Sequence, residues 1–207
     1  MVKPTSGEGR VLGCRIDDER DLVSIRRRTG FVGEDRRAWS GMTAGEVLAI
    51  SRRFFPAWRV DVEQEYLDAF EIPRQQRVNS FSKGTRTAFA LVLALARGAD
   101  LLPLDEPTDG LDPAMNERAL QALVHAASEN PSLTIFFSSH RLDEVERIAD
   151  RVGIIVRGRL VFEDALDEVK AKYRRVVLVF DGAPPEALYH APGVGRSGRK
   201  AVCSRCS

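Results

Sequence analysis

Apolar residues recur every three to four positions between about Thr43 and Arg97, and this period predicts helices. In MTAGEVLAISRRFF, Val47 and Leu48 begin such a pattern, and VEQEYLDAF repeats it. GTRTAFALVLALARG predicts a long apolar helix that begins just after Ser82 and closes at Gly98. This part of the chain is therefore expected to form a helical lobe.

Further along the chain, short apolar runs alternate with helical patterns. ADLLPLDE and SLTIFFSS are candidates for buried strands, whereas DPAMNERALQALVHAASE predicts a helix with Asp112 at its N-cap and Pro113 at its first position. HRLDEVERIAD predicts an amphipathic helix, and VGIIVRGRLVFED predicts a hairpin that turns at Arg-Gly. Residues 2–34 are interpreted as turns and short strands, including KPTSGEGRVLG and TGFVGED. Non-alternating strands separated by helices favour an α/β fold with a mostly parallel sheet covered on both faces.

These patterns suggest four regions. Residues 1–40 would be an N-terminal part of the core, residues 41–97 the inserted α-helical subdomain, and residues 98–173 the rest of the core. Residues 174–207 would form a C-terminal extension, partly disordered because GAPPEALYHAPGVGRSGRKAVCSRCS is rich in Gly, Pro, Arg and Ser.

Composition narrows the classes of function. The chain has 207 residues, of which 43% are hydrophobic and 29% charged, as in ordinary globular proteins. A formal net charge of +1 gives no support for a nucleic-acid partner. The longest apolar stretch, FALVLALA, is far shorter than the roughly 18–20 residues of a membrane span. Three cysteines make no disulfide framework and the N-terminus has no signal-peptide pattern, so a reduced, cytosolic protein is expected.

Two adjacent acids, Asp105 and Glu106, end the first predicted strand. Ligands of open parallel sheets bind at the carboxyl ends of the strands. One carboxylate there could hold Mg²⁺, and the other could orient or deprotonate an attacking water. Taken alone, the pair could equally be two solvated loop acids.

Four segments in order decide between these readings. LLPLDEPTDGLDP closely resembles the Walker B segment and D-loop of ATP-binding-cassette (ABC) ATPases. FSKGT, upstream, resembles their signature motif LSGGQ, and FFSSH, downstream, resembles their switch-histidine segment. TGFVGED is similar to the Q-loop strand, with Glu34 where the family usually has Gln. The resemblance implies a P-loop-NTPase-like, RecA-like core with an inserted helical subdomain.

The resemblance also implies a role for each matching residue. Asp105 would be the metal ligand, and the catalytic residues would be Glu106, His140 and Glu34. The signature residues would bind ATP held by a partner subunit; they are Ser82, Lys83, Gly84 and Thr85. The D-loop would comprise Asp109, Gly110, Leu111 and Asp112. Independently of the family, a hydroxyl and exposed amides at a helix N-terminus form an anion site, and Ser82 can also be the helix cap.

One family element is missing from these residues. No G-x-x-x-x-G-K-[ST] phosphate loop (Walker A) occurs, and GVGRSGRK lacks both a preceding strand and a Ser or Thr after its Lys. In the family, a segment like KPTSGEGRVLG follows the helix that this loop opens, so the chain is expected to be truncated at its N-terminus. ATP and Mg²⁺ would then bind weakly. Pro103, which cannot donate to a sheet ladder, is a second departure and predicts a less stable core.

The favoured function is the nucleotide-binding subunit of a bacterial exporter-type ABC transporter, here as a fragment deficient in ATP hydrolysis. Its partners would be a second nucleotide-binding subunit and an integral membrane subunit, placing it in the cytoplasm at the inner face of the cell membrane. Two alternatives stay open: a non-catalytic cassette module for regulation or dimerisation, and a soluble ABC ATPase of translation or DNA repair.

Overall fold

The computed structural model describes residues 5–33, 39 and 41–172. Glu34 and the C-terminal extension at 174–207 lie outside the described residues. The chain divides into two compact units, Met1–Ala149 and Asp150–Ser207. The candidate site residues that the structure describes all belong to the first unit.

The first unit begins with a hairpin and a helix. Strands β1 (Arg10–Val11) and β2 (Cys14–Arg15) pair antiparallel, and helix α1 (Glu19–Arg28) follows. The sequence pattern predicted only turns and short strands here, which is wrong for the ten residues of α1. This helix has only three apolar residues, Leu22, Val23 and Ile25, among mostly charged ones, so its sequence resembles a solvated segment. Its signal was the N-cap Asp18, with acids in the first turn and arginines in the last.

The predicted helical lobe is present. It contains α2 (Ala44–Phe54), α3 (Val60–Ala69), a 3₁₀ turn (Val78–Ser80) and α4 (Lys83–Ala96). Helix α2 begins with a reciprocal capping box between Thr43 and Glu46, and α4 is followed by Gly98 at φ +67°. The long apolar helix and both of its ends are therefore as predicted.

The rest of the unit alternates strands and helices: β3 (Leu101–Asp105), α5 (Pro113–Glu129), β4 (Thr134–Ser138) and α6 (Leu142–Ile148). Strands β3 and β4 are parallel, with Asp105 opposite Ser138. Residues 29–32 run parallel to β3 on its other side, where the Val32 N–H donates to the Pro103 carbonyl at 3.1 Å. The predicted parallel sheet is confirmed.

The two faces of this sheet differ in burial. Leu102 and Leu104 are buried in a core that they share with α4 and α5. Pro103, opposite Phe136 in the register, lies on the other face, and Phe136 is 66% exposed. The expectation that both faces are covered is wrong for the described residues of this unit: alternate side chains of a strand point to opposite faces, and helices pack on only one of them.

Pro103 lies in the middle of β3. Its carbonyl accepts from Val32, so its ring nitrogen faces the same neighbouring segment. The proline therefore removes a single ladder bond, the one that would reach the Gly30 carbonyl, and leaves the register with β4 intact. This is how the sheet accommodates the residue.

The second unit is a hairpin followed by a helix. Strands β5 (Arg151–Val156) and β6 (Arg159–Ala165) pair antiparallel as predicted, and α7 (Leu166–Lys172) follows. The turn is at Arg157 and Gly158, both at positive φ.

Candidate functional site

The carboxyl ends of β3 and β4 bring two polar side chains together. The Ser138 hydroxyl donates to Asp105 Oδ1 at 2.6 Å, and Asp105 is exposed at the sheet edge. Ser138 was not selected from the sequence, although it lies in the segment FFSSH, two residues before His140. The contact fixes the orientation of the carboxylate predicted to bind a metal.

Glu106, the next residue, is held in a left-handed backbone conformation at φ +47°. Its N–H donates to Ser138 Oγ at 3.1 Å, and its carbonyl accepts from the Asp109 N–H at 3.1 Å. A non-glycine residue in this region costs about 1–2 kcal/mol, which these bonds must offset. The backbone directs the Glu106 side chain to His140, whose Nδ1 lies 3.0 Å from Glu106 Oε2.

This contact changes the acid–base behaviour of His140. The hydrogen bond and charge of Glu106 raise the pKa of His140, and Asp109 and Glu144 add to the effect. The His140 side chain is 73% exposed, whereas that of Glu106 is 26% exposed. A histidine that is more readily protonated can donate to a phosphate oxygen while it orients the neighbouring carboxylate.

The donor set at this edge suits Mg²⁺. A carboxylate at Asp105 and a hydroxyl at Ser138 are oxygen ligands, which this ion prefers. In the part of the chain that the structure describes, no group of three or more His, Cys, Asp or Glu side chains could hold a metal.

The predicted signature residues lie at the N-terminus of α4. Ser82 is the N-cap, and its Oγ accepts from the Thr85 N–H at 3.0 Å and lies 2.9 Å from Thr85 Oγ1. Lys83 Nζ donates to Asp109 Oδ2 at 2.7 Å. The signature and D-loop segments, 26 positions apart at this pair, are thus joined within one chain.

Close backbone approach explains two glycines at this junction. A Cβ on Gly84 would lie 2.8 Å from the Gly110 carbonyl oxygen, and Gly110 itself is at φ +81°. Buried Thr87 supports the contact, because its Oγ1 lies 3.0 Å from the Asp109 carbonyl oxygen and 3.1 Å from that of Lys83. Sequence reasoning missed Thr87.

A buried carboxylate links the D-loop to the switch-histidine segment. Glu144 on α6 is 1% exposed and accepts from the Thr108 hydroxyl at 2.8 Å and from the Asn116 amide at 3.0 Å. It also accepts from the Ser139 hydroxyl at 3.0 Å and pairs with Arg141 at 2.8 Å. This network was not predicted, because its members are scattered over four segments.

Two further residues of the predicted D-loop lie at the start of α5. Asp112 is the N-cap of α5 and accepts from the Met115 N–H at 2.9 Å, and Leu111 lies in the turn before it. The structure brings Asp105, Glu106 and His140 together at one sheet edge. It brings the signature and D-loop residues together at a second place, the start of α4.

Several known proteins are similar to this chain in sequence or fold. A family model described as an AAA domain, putative AbiEii toxin, Type IV TA system, matches residues 46–145. The bacitracin transport ATP-binding protein BcrA of Bacillus licheniformis is 32% identical over 177 residues, covering 84% of this chain and 57% of that protein. The ABC transporter ATP-binding protein YtrB of Bacillus subtilis (strain 168) is 33% identical over 139 residues, covering 67% and 47%. The chain thus spans about half the length of these curated relatives.

A solved structure is similar in fold. It is the dimeric post-hydrolysis state of the ATP-binding cassette MJ0796 bound to ADP and Pi, with a TM-score of 0.65 at 23% identity. The match covers 80% of this chain and 75% of that one. Fold and ordered motifs define a P-loop NTPase of the ATP-binding-cassette class. The chain belongs to the ABC ATPase family, and its curated relatives are ATP-binding proteins of ABC transporters.

Proposed function

We propose that this chain is the nucleotide-binding subunit of an ABC transporter. The observation that carries the proposal is the 3.0 Å contact between Glu106 and His140, beside Asp105 at the carboxyl edge of the sheet. In this role Asp105 binds Mg²⁺, and Glu106 acts as the base that orients and deprotonates the attacking water. His140 donates to the terminal phosphate, and Glu34 assists at the metal.

The signature segment acts on ATP held by a second nucleotide-binding subunit. Ser82 and the amides at the start of α4 supply donors, and the positive end of the helix attracts the phosphate. Lys83 adds a charge that the family motif lacks at this position. The dimeric MJ0796 cassette supports pairing of this kind.

The proposal also includes a membrane subunit. No helix among the described residues is long and apolar enough to cross a bilayer. The transport names of the relatives suggest that this chain works with a membrane-spanning subunit, at its cytoplasmic face. A groove between residues 30–33 and the helical lobe is the proposed docking surface.

A protein of these 207 residues is proposed to bind Mg-ATP weakly. They contain no G-x-x-x-x-G-K-[ST] motif, whose backbone and Lys normally hold the phosphates. The same observation favours a second candidate, a cassette module that regulates or dimerises without hydrolysing ATP itself. In the transporter subunit the signature segment completes a partner's catalytic site, whereas in the regulatory module it does not.

The test mixes the purified chain with an ABC ATPase homologue that carries the missing motif. We expect a complex on size-exclusion chromatography and an ATPase rate above the sum of the separate proteins. Ser82→Ala should reduce the excess rate without dissociating the complex, because it removes a hydroxyl that donates a hydrogen bond to the phosphate. Ser132→Ala, on an exposed turn, is the matched control.

Each other outcome counts against part of the proposal. A complex with no excess rate would favour the regulatory module, and the absence of any complex would contradict the dimer. A normal Mg-ATP affinity of the chain alone, measured by calorimetry, would contradict the weak-binding proposal.

A further inference from the structure

An ion pair joins the start of α4 to the D-loop. Lys83 Nζ donates to Asp109 Oδ2 at 2.7 Å. The Lys83 side chain is 66% exposed, and that of Asp109 is 35% exposed. Both charges can therefore be reached by water and by an anion that approaches the start of α4.

The Lys83 side chain reaches Asp109 by lying across Gly110. A Cβ on Gly110 would lie 2.8 Å from both Cγ and Cδ of Lys83, so a side chain at this position would displace the lysine. Gly110 is also at φ +81°, which favours glycine. The glycine of the D-loop is therefore what allows the lysine to form this contact.

The backbone around Asp109 is held by contacts other than the ion pair. Thr87 is fully buried one turn along α4 from Lys83, and its Oγ1 lies 3.0 Å from the Asp109 carbonyl oxygen. The Asp109 N–H donates to the Glu106 carbonyl at 3.1 Å. Breaking the ion pair would therefore release the Asp109 carboxylate and the Lys83 ammonium while the loop keeps its backbone contacts.

An exposed ion pair of this kind is weak, because water screens both charges and two flexible side chains lose freedom. A phosphate group carries more negative charge than a carboxylate and has three acceptor oxygens. Lysine binds phosphate well as a compact point charge.

The charges around Lys83 also favour this exchange of partners. Helix α4 has no acidic residue in its first turn that would repel a phosphate, and the positive end of the helix lies at the same place. Asp109, contributed by the D-loop, is the carboxylate with which a phosphate would have to compete. A phosphate at the start of α4 can therefore displace Asp109 from Lys83.

We propose that the Lys83–Asp109 ion pair is an autoinhibitory contact of the signature segment. While no nucleotide faces this segment, Asp109 neutralises Lys83. The terminal phosphate of ATP has to displace Asp109 before it binds the ammonium, so the ion pair lowers the affinity of the segment for phosphate. This inference rests on the proposed function, because the ATP belongs to the second nucleotide-binding subunit. It adds a regulation of that site by a lysine that replaces a glycine of the family motif.

The full chain allows a test without ATP or a second subunit. It contains five lysines, so the NMR signals of the lysine ε-methylene groups are few, and Lys83→Arg identifies the signal of Lys83. The probe is inorganic tripolyphosphate, titrated at low ionic strength. We expect the Lys83 signal to shift and saturate, because the ammonium exchanges a carboxylate for a phosphate. Backbone amide signals of Gly84 and Thr85 give the affinity in every variant.

Asp109→Asn should bind tripolyphosphate about two- to fivefold more tightly than wild type, because the probe no longer competes with a carboxylate. Lys83→Gln should bind it more weakly. When Asp109→Asn is added to Lys83→Gln, it should give no gain, since no ammonium remains to be released. Glu129→Gln makes the same charge change at the far end of α5 from the D-loop, and this matched control should bind as wild type.

A Lys83 signal that tripolyphosphate leaves unchanged would overturn the inference. A gain from Asp109→Asn that persists in the Lys83→Gln background, or that Glu129→Gln reproduces, would assign the effect to net charge and also overturn it.

The mixed ATPase assay gives a second measurement. Asp109→Asn should lower the ATP concentration that gives half of the maximal excess rate, and Lys83→Gln should raise it. An excess rate with the same ATP dependence in both variants would contradict this inference alone. No excess rate in any variant, together with the expected tripolyphosphate results, would contradict the proposed function and not the competition between Asp109 and phosphate.

Discussion

At the scale of single residues, hydrogen bonds fix the orientation of the side chains in the candidate site. Glu106 adopts φ +47° with hydrogen bonds on both sides of its peptide unit, and its carboxylate meets His140 as a result. Backbone strain concentrated at such a position is typical of functional residues, because a relaxed backbone would point the side chain elsewhere.

Removing the Glu106 charge should change the titration of His140. In Glu106→Gln, we expect the pKa of His140 to fall towards its ordinary value, because the contact that raises it is gone. NMR of the imidazole signals against pH measures this, with the His140 signal assigned through His140→Gln. Glu117→Gln on α5 is the control, and its His140 titration should match wild type. An unchanged His140 titration in Glu106→Gln would contradict the contact.

Glu144 should matter chiefly for stability. In Glu144→Ala, the buried donors of Thr108 and Asn116 lose their acceptor, and Arg141 loses the closer of its two carboxylate partners, keeping Asp143 at 3.4 Å. We expect the free energy of unfolding to fall by about 3–5 kcal/mol, measured by urea titration. Glu144→Gln keeps an acceptor and should lose less. Glu129→Ala, an exposed change at the end of α5, serves as the control. A loss below about 1 kcal/mol in Glu144→Ala would show that the network contributes little.

At the scale of elements, local sequence signals predicted most helices and strands. Helix α4 and helix α5 have a clear apolar period, and each begins at a side-chain cap, Ser82 and Asp112. Helix α1 was missed because most of its residues are charged and it buries only Ile25, so its sequence resembles a solvated segment. Strand β4 was found, but its exposed face was not, since burial depends on what packs against a strand.

Replacing Pro103 should strengthen the sheet. In Pro103→Val, the new N–H faces the Gly30 carbonyl and can restore a ladder bond, so we expect the unfolding free energy to rise by about 0.5–1.5 kcal/mol. Thermal and urea unfolding measure the gain. Pro113→Ala is the control: that proline is the first residue of α5, where no donor is needed, and its removal should give no gain. A destabilised Pro103→Val would show that the fixed proline ring contributes more than the bond.

At the scale of the whole molecule, the chain brings the predicted site residues together at two separate places. The sheet edge holds Asp105, Glu106 and His140, while the start of α4 holds the signature segment against the D-loop. The short turn from Glu106 to Asp109 connects them.

Stability should depend on pH in a direction set by the carboxylates. Although burial opposes it, hydrogen bonds from Arg52, Trp58 and Arg74 lower the pKa of Glu63, and a hydrogen bond from Arg59 lowers that of Asp61 to about 2. Because the unfolded chain binds more protons, this stability is present above the unfolded pKa values and lost as pH falls through the folded ones. We expect urea midpoints to fall from about pH 5 towards pH 2.

The His140 pair contributes with the opposite sign. Because the pKa of His140 is raised in the folded protein, the pair stabilises the fold at pH values below the unfolded pKa, and this stabilisation is lost as pH rises through the folded pKa.

In Glu63→Gln the loss of stability at acid pH should be shallower, whereas Glu19→Gln on α1 should follow wild type. A midpoint that stays constant below pH 5 would contradict the carboxylate argument.

The sequence by itself determined the family, the order of the motifs, the long helices and the parallel strands. Caps, apolar periods and motif spacing are all local, so they can be identified before folding is known. Tertiary structure alone decided that Ser138 orients Asp105 and that Glu144 joins Thr108, just before the D-loop, to the switch segment. These contacts join segments distant in the chain, and whether a charge finds a partner depends on which segments the fold brings into contact.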